Sequence, residues 1–159
     1  MAGAKDLVAG LSAHDIPMAL VTRNTQEAAM PLADLMHLHQ FDVVIGRDYS
    51  EDEGASMLPN KPDPALFRHI AGKWSIDPSD MIMVGDSLAN DIAFGKAAGA
   101  ATALVDTERR YLEDGKSNAV ADIVVDKLMD LPRQLWGHFG ILGNLGTNMS
   151  QEVRHSGTN

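Results

Sequence analysis

The chain has 159 residues, 45% of them hydrophobic, which suits one domain with a buried core. Its formal net charge of −9 at pH 7 argues against nucleic acid or an anionic membrane surface as a partner recruited by a general electrostatic field. The absence of cysteine excludes disulfides, thiolate metal sites and cysteine nucleophiles, and no apolar run is long enough to cross a bilayer. With no recognisable signal peptide, these features predict a cytoplasmic protein.

The first half of the chain predicts two helices, each followed by a strand. The helices are expected at residues 3–14 and 26–37, the first because leucine and valine residues recur on one face. Two short apolar runs at 16–21 and 41–46 suit strands that are buried on both faces of a parallel sheet. The polar, acidic segment 47–59 predicts a loop.

The second half continues this alternation. A helix is predicted from Asp63 and Pro64 to about Gly72, since proline is tolerated in a first helical turn. Another helix is expected at 88–98, and a short one ends near Trp136. Strands are expected at 81–84, 101–105 and 122–125. The pattern predicts a parallel sheet with helices on both faces, in one domain over residues 1–136. Glycine, asparagine, serine and threonine dominate residues 137–159, which predicts a flexible tail.

A glycine and two aspartates mark the end of the strand predicted at 81–84. Gly85 and Asp86 follow its apolar run directly, and Asp91 lies in the first turn of the next helix. Two carboxylates that converge at a strand end form a site for a hard divalent cation, and Mg²⁺ is the expected ion. A capped helix start would explain one acid through the helix dipole, but not the pair together with the preceding glycine and strand.

Two further positions are candidates for contacts with phosphate. Thr22 follows the apolar run at 16–21, and its hydroxyl, with the main-chain amides of Arg23 and Asn24, can hydrogen-bond a phosphoryl oxygen. Taken alone, Thr22 is explained better as the cap of the next helix. Lys61 stands between restrictive prolines, so it can place a point charge on a phosphate and on an adjacent carboxylate. Taken alone, it could equally be a solvated lysine.

In chain order, Thr22, Lys61 and the Gly85-Asp86…Asp91 cluster resemble motifs II, III and IV of the haloacid dehalogenase-like (HAD) hydrolase superfamily. The resemblance runs from about residue 3 to residue 126. Within the superfamily, Lys-Pro-Asp-Pro followed by Val-Gly-Asp-Ser is similar to the phosphoglycolate phosphatase-like branch. The resemblance implies a HAD-like Rossmannoid fold with α/β/α layers, and a small phosphorylated molecule as the substrate.

The resemblance also implies a role for each matching residue. Asp86 would bind Mg²⁺, and Asp91 would support the metal site and orient Lys61. Lys61 and Asp91 would therefore be catalytic. Thr22 and Lys61 would stabilise the transferring phosphoryl group, and Arg23 and Asn24 would add substrate contacts.

The family's reaction transfers a phosphoryl group to an aspartate and then hydrolyses the aspartyl-phosphate. The resemblance places the nucleophile in motif I, an apolar strand ending in Asp-x-Asp ahead of motif II. No such strand precedes Thr22. Asp106 does not replace it, because it falls where the family's fifth strand ends and the next acid is a glutamate. The segment 122–126 has the wrong spacing. We therefore expect little or no turnover by this chain.

In this family the motif I strand lies between the strands of motifs II and IV. The remaining strands are expected to pair across the gap, to leave two unpaired edges, or to recruit a strand from another chain.

The segment between Thr22 and Lys61 leaves no room for a cap domain, the part that would select the substrate. The sequence therefore does not indicate which phosphorylated molecule is the substrate. An alternative function is a non-catalytic binding or regulatory protein that pairs with another chain. A response-regulator receiver is disfavoured, since no acidic pair ends a first strand.

Overall fold

The computed structural model describes residues 3–35, 40–50, 57–111 and 120–139. The helices named here are α1 (Ala4–Ser12), α2 (Gln26–Leu35), α3 (Ala65–Trp74), α4 (Ala93–Ala98) and α5 (Leu131–Phe139). The strands are β1 (Ala19–Val21), β2 (Val43–Ile45), β3 (Ile82–Gly85), β4 (Ala101–Val105) and β5 (Ile123–Val125). A π-helical turn covers Leu88–Ile92, and short 3₁₀ turns cover Pro78–Asp80 and Leu128–Asp130. In these ranges, no helix is long and apolar enough to cross a membrane.

The strands form two parallel sheets. β1 pairs with β2, and β3, β4 and β5 form a second sheet in that order. Every pairing is parallel, as the alternation of helix and strand predicts. The predicted α/β architecture is therefore confirmed.

A gap separates the two sheets along β1 and β3. Among the described residues, each of these two strands has one hydrogen-bonded neighbour. All residues of β1 and β3 are only partly buried, whereas β4, which is paired on both sides, is buried after its first residue. In the described part of the chain, β1 and β3 therefore do not pair across the gap, and each keeps one unpaired edge.

The outer edge of β2, in contrast, is covered by a side chain. Gln26, the first residue of α2, donates a hydrogen bond to the Val44 oxygen at 2.9 Å and accepts one from the Gly46 N–H at 2.6 Å. A primary amide offers a donor and an acceptor, so Gln26 substitutes for a neighbouring strand. The outer side of β2 is thus closed, whereas the unpaired edges of β1 and β3 face the gap.

An apolar cluster joins the two sheets on one face. The partly buried Met83 of β3 packs against its buried members, which come from β2, from α3 and α4 and from the residue before β4: Ile45, Leu66, Phe67, Ile70, Phe94 and Ala100. The rings of Phe67 on α3 and Phe94 on α4 meet edge to face with centroids 5.2 Å apart. A second cluster covers the other face and includes Leu7 and Leu11 of α1 packed against β3 and β4 residues and α5. The helices, rather than strand pairing, hold the two sheets together.

The start of β1 and the end of α5 are among the element bounds that differ from the prediction. β1 begins at Ala19 rather than at residue 16, because the Ile16 N–H donates to the Leu11 oxygen and so closes the end of α1. α5 continues to Phe139, so residues 137–139 are helical and not part of the predicted tail. The rest of that tail, residues 140–159, lies outside the described residues, as does the predicted end of the second helix after Leu35.

Asp122 fastens the start of β5 to β4 through its carboxylate. One oxygen accepts hydrogen bonds from the Thr102 N–H and hydroxyl, both at 2.8 Å, and the other contacts the Lys96 ammonium at 2.5 Å. Partial burial by itself raises the pKa of Asp122, but the bonds from Lys96 and Thr102 outweigh it, so its pKa lies below the usual value. The carboxylate should therefore stabilise the fold above its unfolded-state pKa and lose this effect as pH falls through the lower folded-state pKa.

We expect Asp122→Asn to destabilise the chain by about 1–2 kcal/mol at neutral pH, because the ion pair and the charge-assisted hydrogen bonds are weakened. Thermal melts of both proteins between about pH 6 and pH 3 should show the difference shrinking as the carboxylate is protonated. A difference that stays constant over this range would contradict the assignment.

Candidate active site

The predicted site residues converge where β1 and β3 end. Thr22 follows β1, Asp86 follows β3, and Asp91 lies in the π-helical turn Leu88–Ile92. Lys61, from the loop before α3, connects these elements: its ammonium donates to the Val21 oxygen at 2.9 Å and to Asp91 Oδ1 at 2.7 Å. The site therefore spans the gap between the two sheets.

The contact between Lys61 and Val21 is made at the open edge of β1. The Thr22 N–H donates to the Ile45 oxygen at 2.9 Å, so it points toward β2. In a trans peptide the carbonyl points opposite to the following N–H, so the Val21 oxygen points away from β2 and into the gap. The Lys61 ammonium thus satisfies an oxygen that no neighbouring strand pairs in the described part of the chain.

Lys61 and Asp91 form a buried ion pair. Their side chains are 8% and 9% exposed, respectively. Because two charges removed from water need close and complete pairing, the geometry around this pair is tightly restricted. The second Asp91 oxygen, Oδ2, accepts the N–H groups of Asp86 and Ser87 at 3.2 and 3.1 Å. Asp91 therefore fixes both the lysine and the loop that carries Asp86.

Gly85 makes room for this arrangement. A Cβ atom at this position would lie 2.3, 2.4 and 2.5 Å from Asp91 Cβ, Cγ and Oδ2. No other residue fits without moving the Asp91 side chain. The π-helical turn contributes as well, and the Ser87 hydroxyl caps it by accepting the Asn90 N–H at 3.3 Å. Such turns are frequent at functional sites.

Thr22 does not cap α2. Its hydroxyl oxygen accepts the Asn24 N–H at 3.2 Å, which closes a tight turn directly after β1. The cap is Thr25, whose hydroxyl oxygen accepts the Ala28 N–H at 3.3 Å. The capping explanation therefore applies to Thr25, while Thr22 remains next to the site. Arg23 and Asn24 are exposed and lie on the same turn.

Asp86 and Asp91 differ in what they offer to a cation. The Asp86 side chain is 61% exposed, whereas both Asp91 oxygens already accept hydrogen bonds. Within the described ranges, no three His, Cys, Asp or Glu side chains are placed to hold a metal ion together. Mg²⁺ is commonly bound by one or two carboxylates, with water and substrate phosphate completing its shell. An exposed carboxylate such as Asp86, beside an acid whose oxygens are already bonded, fits the donor set of an open site of this kind.

Sequence reasoning missed Arg110. Its guanidinium donates to Asp86 Oδ2 and to the Asp86 main-chain oxygen, both at 3.2 Å. The backbone of this segment is fixed by Asp106, which is fully buried and accepts the N–H groups of Arg110 and Tyr111 at 2.9 Å. Asp106 is thus an anchor for the loop after β4. An arginine pair after an acid at a strand end was the only local signal.

Comparison with known proteins shows which family of proteins this chain is similar to. The HAD-hydrolase-like family model matches residues 59–131. A haloacid dehalogenase-like hydrolase domain-containing protein of Arabidopsis thaliana is 37% identical over 143 residues, covering 89% of this chain and 55% of that protein. A phosphoglycolate phosphatase of Chromobacterium violaceum is 31% identical over 130 residues, covering 81% of this chain and 53% of that protein. The chain spans about half the length of these curated relatives.

A solved structure shares the fold. The putative HAD-hydrolase YfnB from Bacillus subtilis, bound to magnesium, superposes with a TM-score of 0.66 at 21% identity over 91% of this chain and 55% of that chain. The family model over residues 59–131, these relatives and the shared fold show that the chain is similar to haloacid dehalogenase-like hydrolases. The predicted resemblance to the phosphoglycolate phosphatase-like branch is confirmed.

Proposed function

We propose that the chain binds a small phosphorylated molecule together with Mg²⁺ at the ends of β1 and β3. The observation that carries this proposal is the buried Lys61 ammonium, which is fixed by the Val21 oxygen and by Asp91 at 2.9 and 2.7 Å. An ammonium group has three N–H donors, so a third can meet a phosphoryl oxygen. A lysine held in this way is pre-organised for an anion, which favours binding because little side-chain freedom is lost.

Other residues would contact the phosphoryl oxygens and Mg²⁺. The Thr22 hydroxyl accepts the Asn24 N–H, so its own proton is available to donate to a phosphoryl oxygen. The exposed Arg23 and Asn24 add contacts at the rim. Asp86 would hold Mg²⁺. Asp91 would support the metal site indirectly, because it fixes the loop that carries Asp86. When bound, the cation offsets negative charge on the phosphoryl oxygens. Lys61 offsets the charge that grows on the same oxygens in a transition state.

We further propose that this chain, assayed by itself, supports little or no phosphomonoester hydrolysis. The residues above bind and polarise a phosphoryl group, but the reaction also needs a carboxylate to attack it. No two aspartates stand two positions apart anywhere in the sequence, so the chain offers no Asp-x-Asp.

A second candidate is a non-catalytic binding or regulatory protein that pairs with another chain. It is favoured by the two partly buried strands, β1 and β3, whose open edges face one gap. An extended segment from a second chain can add main-chain hydrogen bonds at such edges. Size-exclusion chromatography with light scattering separates the candidates, because a stable, folded monomer without a partner argues against strand recruitment.

Binding of inorganic phosphate by isothermal titration calorimetry, with and without Mg²⁺, tests the leading proposal. We expect Mg²⁺-dependent binding by the unaltered chain and its loss in Asp86→Ala. Asp130→Ala is the matched control, because this half-exposed acid lies on the turn before α5 and pairs with Arg133 of that helix. Thr22→Ala should weaken phosphate binding by about three- to tenfold, the value of one hydrogen bond. Absence of phosphate binding, or binding that survives Asp86→Ala unchanged, would overturn the proposal.

A further inference from the structure

Arg110 contacts the same carboxylate that the proposed function gives to a cation. Two hydrogen bonds join them: Arg110 Nη2 donates to Asp86 Oδ2 and to the Asp86 main-chain oxygen, both at 3.2 Å. A guanidinium carries a permanent positive charge and matches the geometry of a carboxylate. In this structure the charge of Asp86 is therefore offset by a residue of the chain itself.

The backbone of Arg110 is fixed from within the protein. The carboxylate of Asp106 has no solvent exposure, and its two oxygens accept the N–H groups of Arg110 and Tyr111. Arg109, the residue before Arg110, adopts a left-handed conformation with φ of 56°. Its N–H donates to the main-chain oxygen of Asp106 at 2.9 Å. These contacts close a tight loop after β4 and turn the Arg110 side chain back over the end of β3.

Besides Asp86, two side chains contact the guanidinium of Arg110. Its carbon lies 5.5 Å from the centroid of the Tyr111 ring, close enough for a cation–π contact, and its Nε lies 3.6 Å from Glu108 Oε2. Tyr111 in turn packs against the apolar cluster of Ile92 and Leu104. Arg110 is therefore pre-positioned on Asp86 and is not an independent surface arginine.

We propose that Arg110 is a built-in competitor of the divalent cation at Asp86. A cation on Asp86 Oδ2 would compete with the guanidinium for that oxygen, and a cation on Oδ1 would still be repelled by the positive charge of Arg110. Arg110 thereby lowers the cation affinity of the site. The inference rests on the proposed function for its assignment of Asp86. Because the Arg110 and Asp86 side chains are 46% and 61% exposed, solvent screens the pair and the effect is modest.

The test is a titration of the full chain with Tb³⁺, followed by luminescence and by competition with Mg²⁺, in the unaltered protein and in Arg110→Met. Methionine keeps an apolar stem against Tyr111 but removes the charge. We expect Arg110→Met to bind both ions about two- to fivefold more tightly. Arg109→Met is the matched control, since Arg109 pairs with Asp126 at 2.6 Å and not with Asp86. It should leave both affinities unchanged.

The possible failures separate the two proposals. One outcome is that Asp86→Ala abolishes ion binding while Arg110→Met binds the ions with the same affinity as the unaltered protein or more weakly. In that case the competitor role is wrong and the cation site stands. If Arg109→Met gains as much ion affinity as Arg110→Met, the change in net charge explains the effect, and this result would also overturn the inference. If no variant binds Tb³⁺, or binding survives Asp86→Ala, the assignment of Asp86 in the proposed function fails and the inference fails with it.

Discussion

Gly85→Ala is expected to destabilise the chain by about 2–3 kcal/mol and to disrupt the site, although it adds a single methyl group. The new Cβ would meet Asp91 Cβ, Cγ and Oδ2 at 2.3–2.5 Å, far inside any real contact distance. Asp91 cannot turn away cheaply, because its two oxygens hold Lys61 and the N–H groups of Asp86 and Ser87. Relief of the overlap must therefore break at least one of these contacts.

Gly72→Ala is the matched control for this substitution. Gly72 lies inside α3, and a Cβ there would have no neighbour within 4 Å. Because alanine is the better helix former, we expect Gly72→Ala to stabilise the chain by about 0.5–1 kcal/mol. Urea unfolding followed by circular dichroism measures both changes. A Gly85→Ala protein as stable as the unaltered chain would contradict the packing described around Asp91.

Asp91→Asn is expected to cost about 3 kcal/mol or more, because it leaves the buried Lys61 ammonium without its counter-charge. The amide oxygen of asparagine can still accept the N–H groups of Asp86 and Ser87, so the substitution isolates the ion pair. Lys61 is only 8% exposed and cannot regain its hydration without moving. Unfolding by urea gives the free energy, and the same change at exposed Asp130 should stay within about 0.5 kcal/mol.

The double variant Lys61→Met with Asp91→Asn distinguishes loss of charge pairing from general damage. Methionine has a similar length and carries no charge, so no unpaired ion remains. We expect the double variant to recover most of the stability that Asp91→Asn loses. Equal instability of the single and double variants would show that the cost does not come from a stranded lysine charge.

The strand ends of this site were predictable because they are encoded locally. Apolar runs that stop at Val21 and at Gly85 predict buried parallel strands, and polar residues just after such strands gather at one edge of a sheet. The resemblance to HAD hydrolases added the partnership between Lys61 and Asp91, which are 2.7 Å apart although distant in sequence. It also predicted that the strands beside the absent motif I strand would pair with each other, keep unpaired edges or recruit another strand, and in the described residues β1 and β3 do not pair with each other.

The remaining features depend on contacts that no local pattern contains. An apolar and polar spacing that predicts an α-helix from Leu88 also suits the π-helical turn that the structure has there. The different environments of Asp86 and Asp91 follow from which N–H groups Asp91 accepts. Arg110 reaches Asp86 only because buried Asp106 closes the loop after β4. Such contacts join residues from different loops and strands, so they depend on the folded structure and not on a local sequence pattern.

The central claim is that this chain carries the phosphate- and cation-binding part of a phosphatase site without the attacking carboxylate. Its most direct test is the Mg²⁺-dependent hydrolysis of p-nitrophenyl phosphate by the purified chain, measured beside Asp86→Ala. We predict turnover that is absent or too weak to differ from Asp86→Ala, although inorganic phosphate still binds. Robust turnover that Asp86→Ala abolishes would contradict the claim, because it would require an attacking group that the sequence does not display.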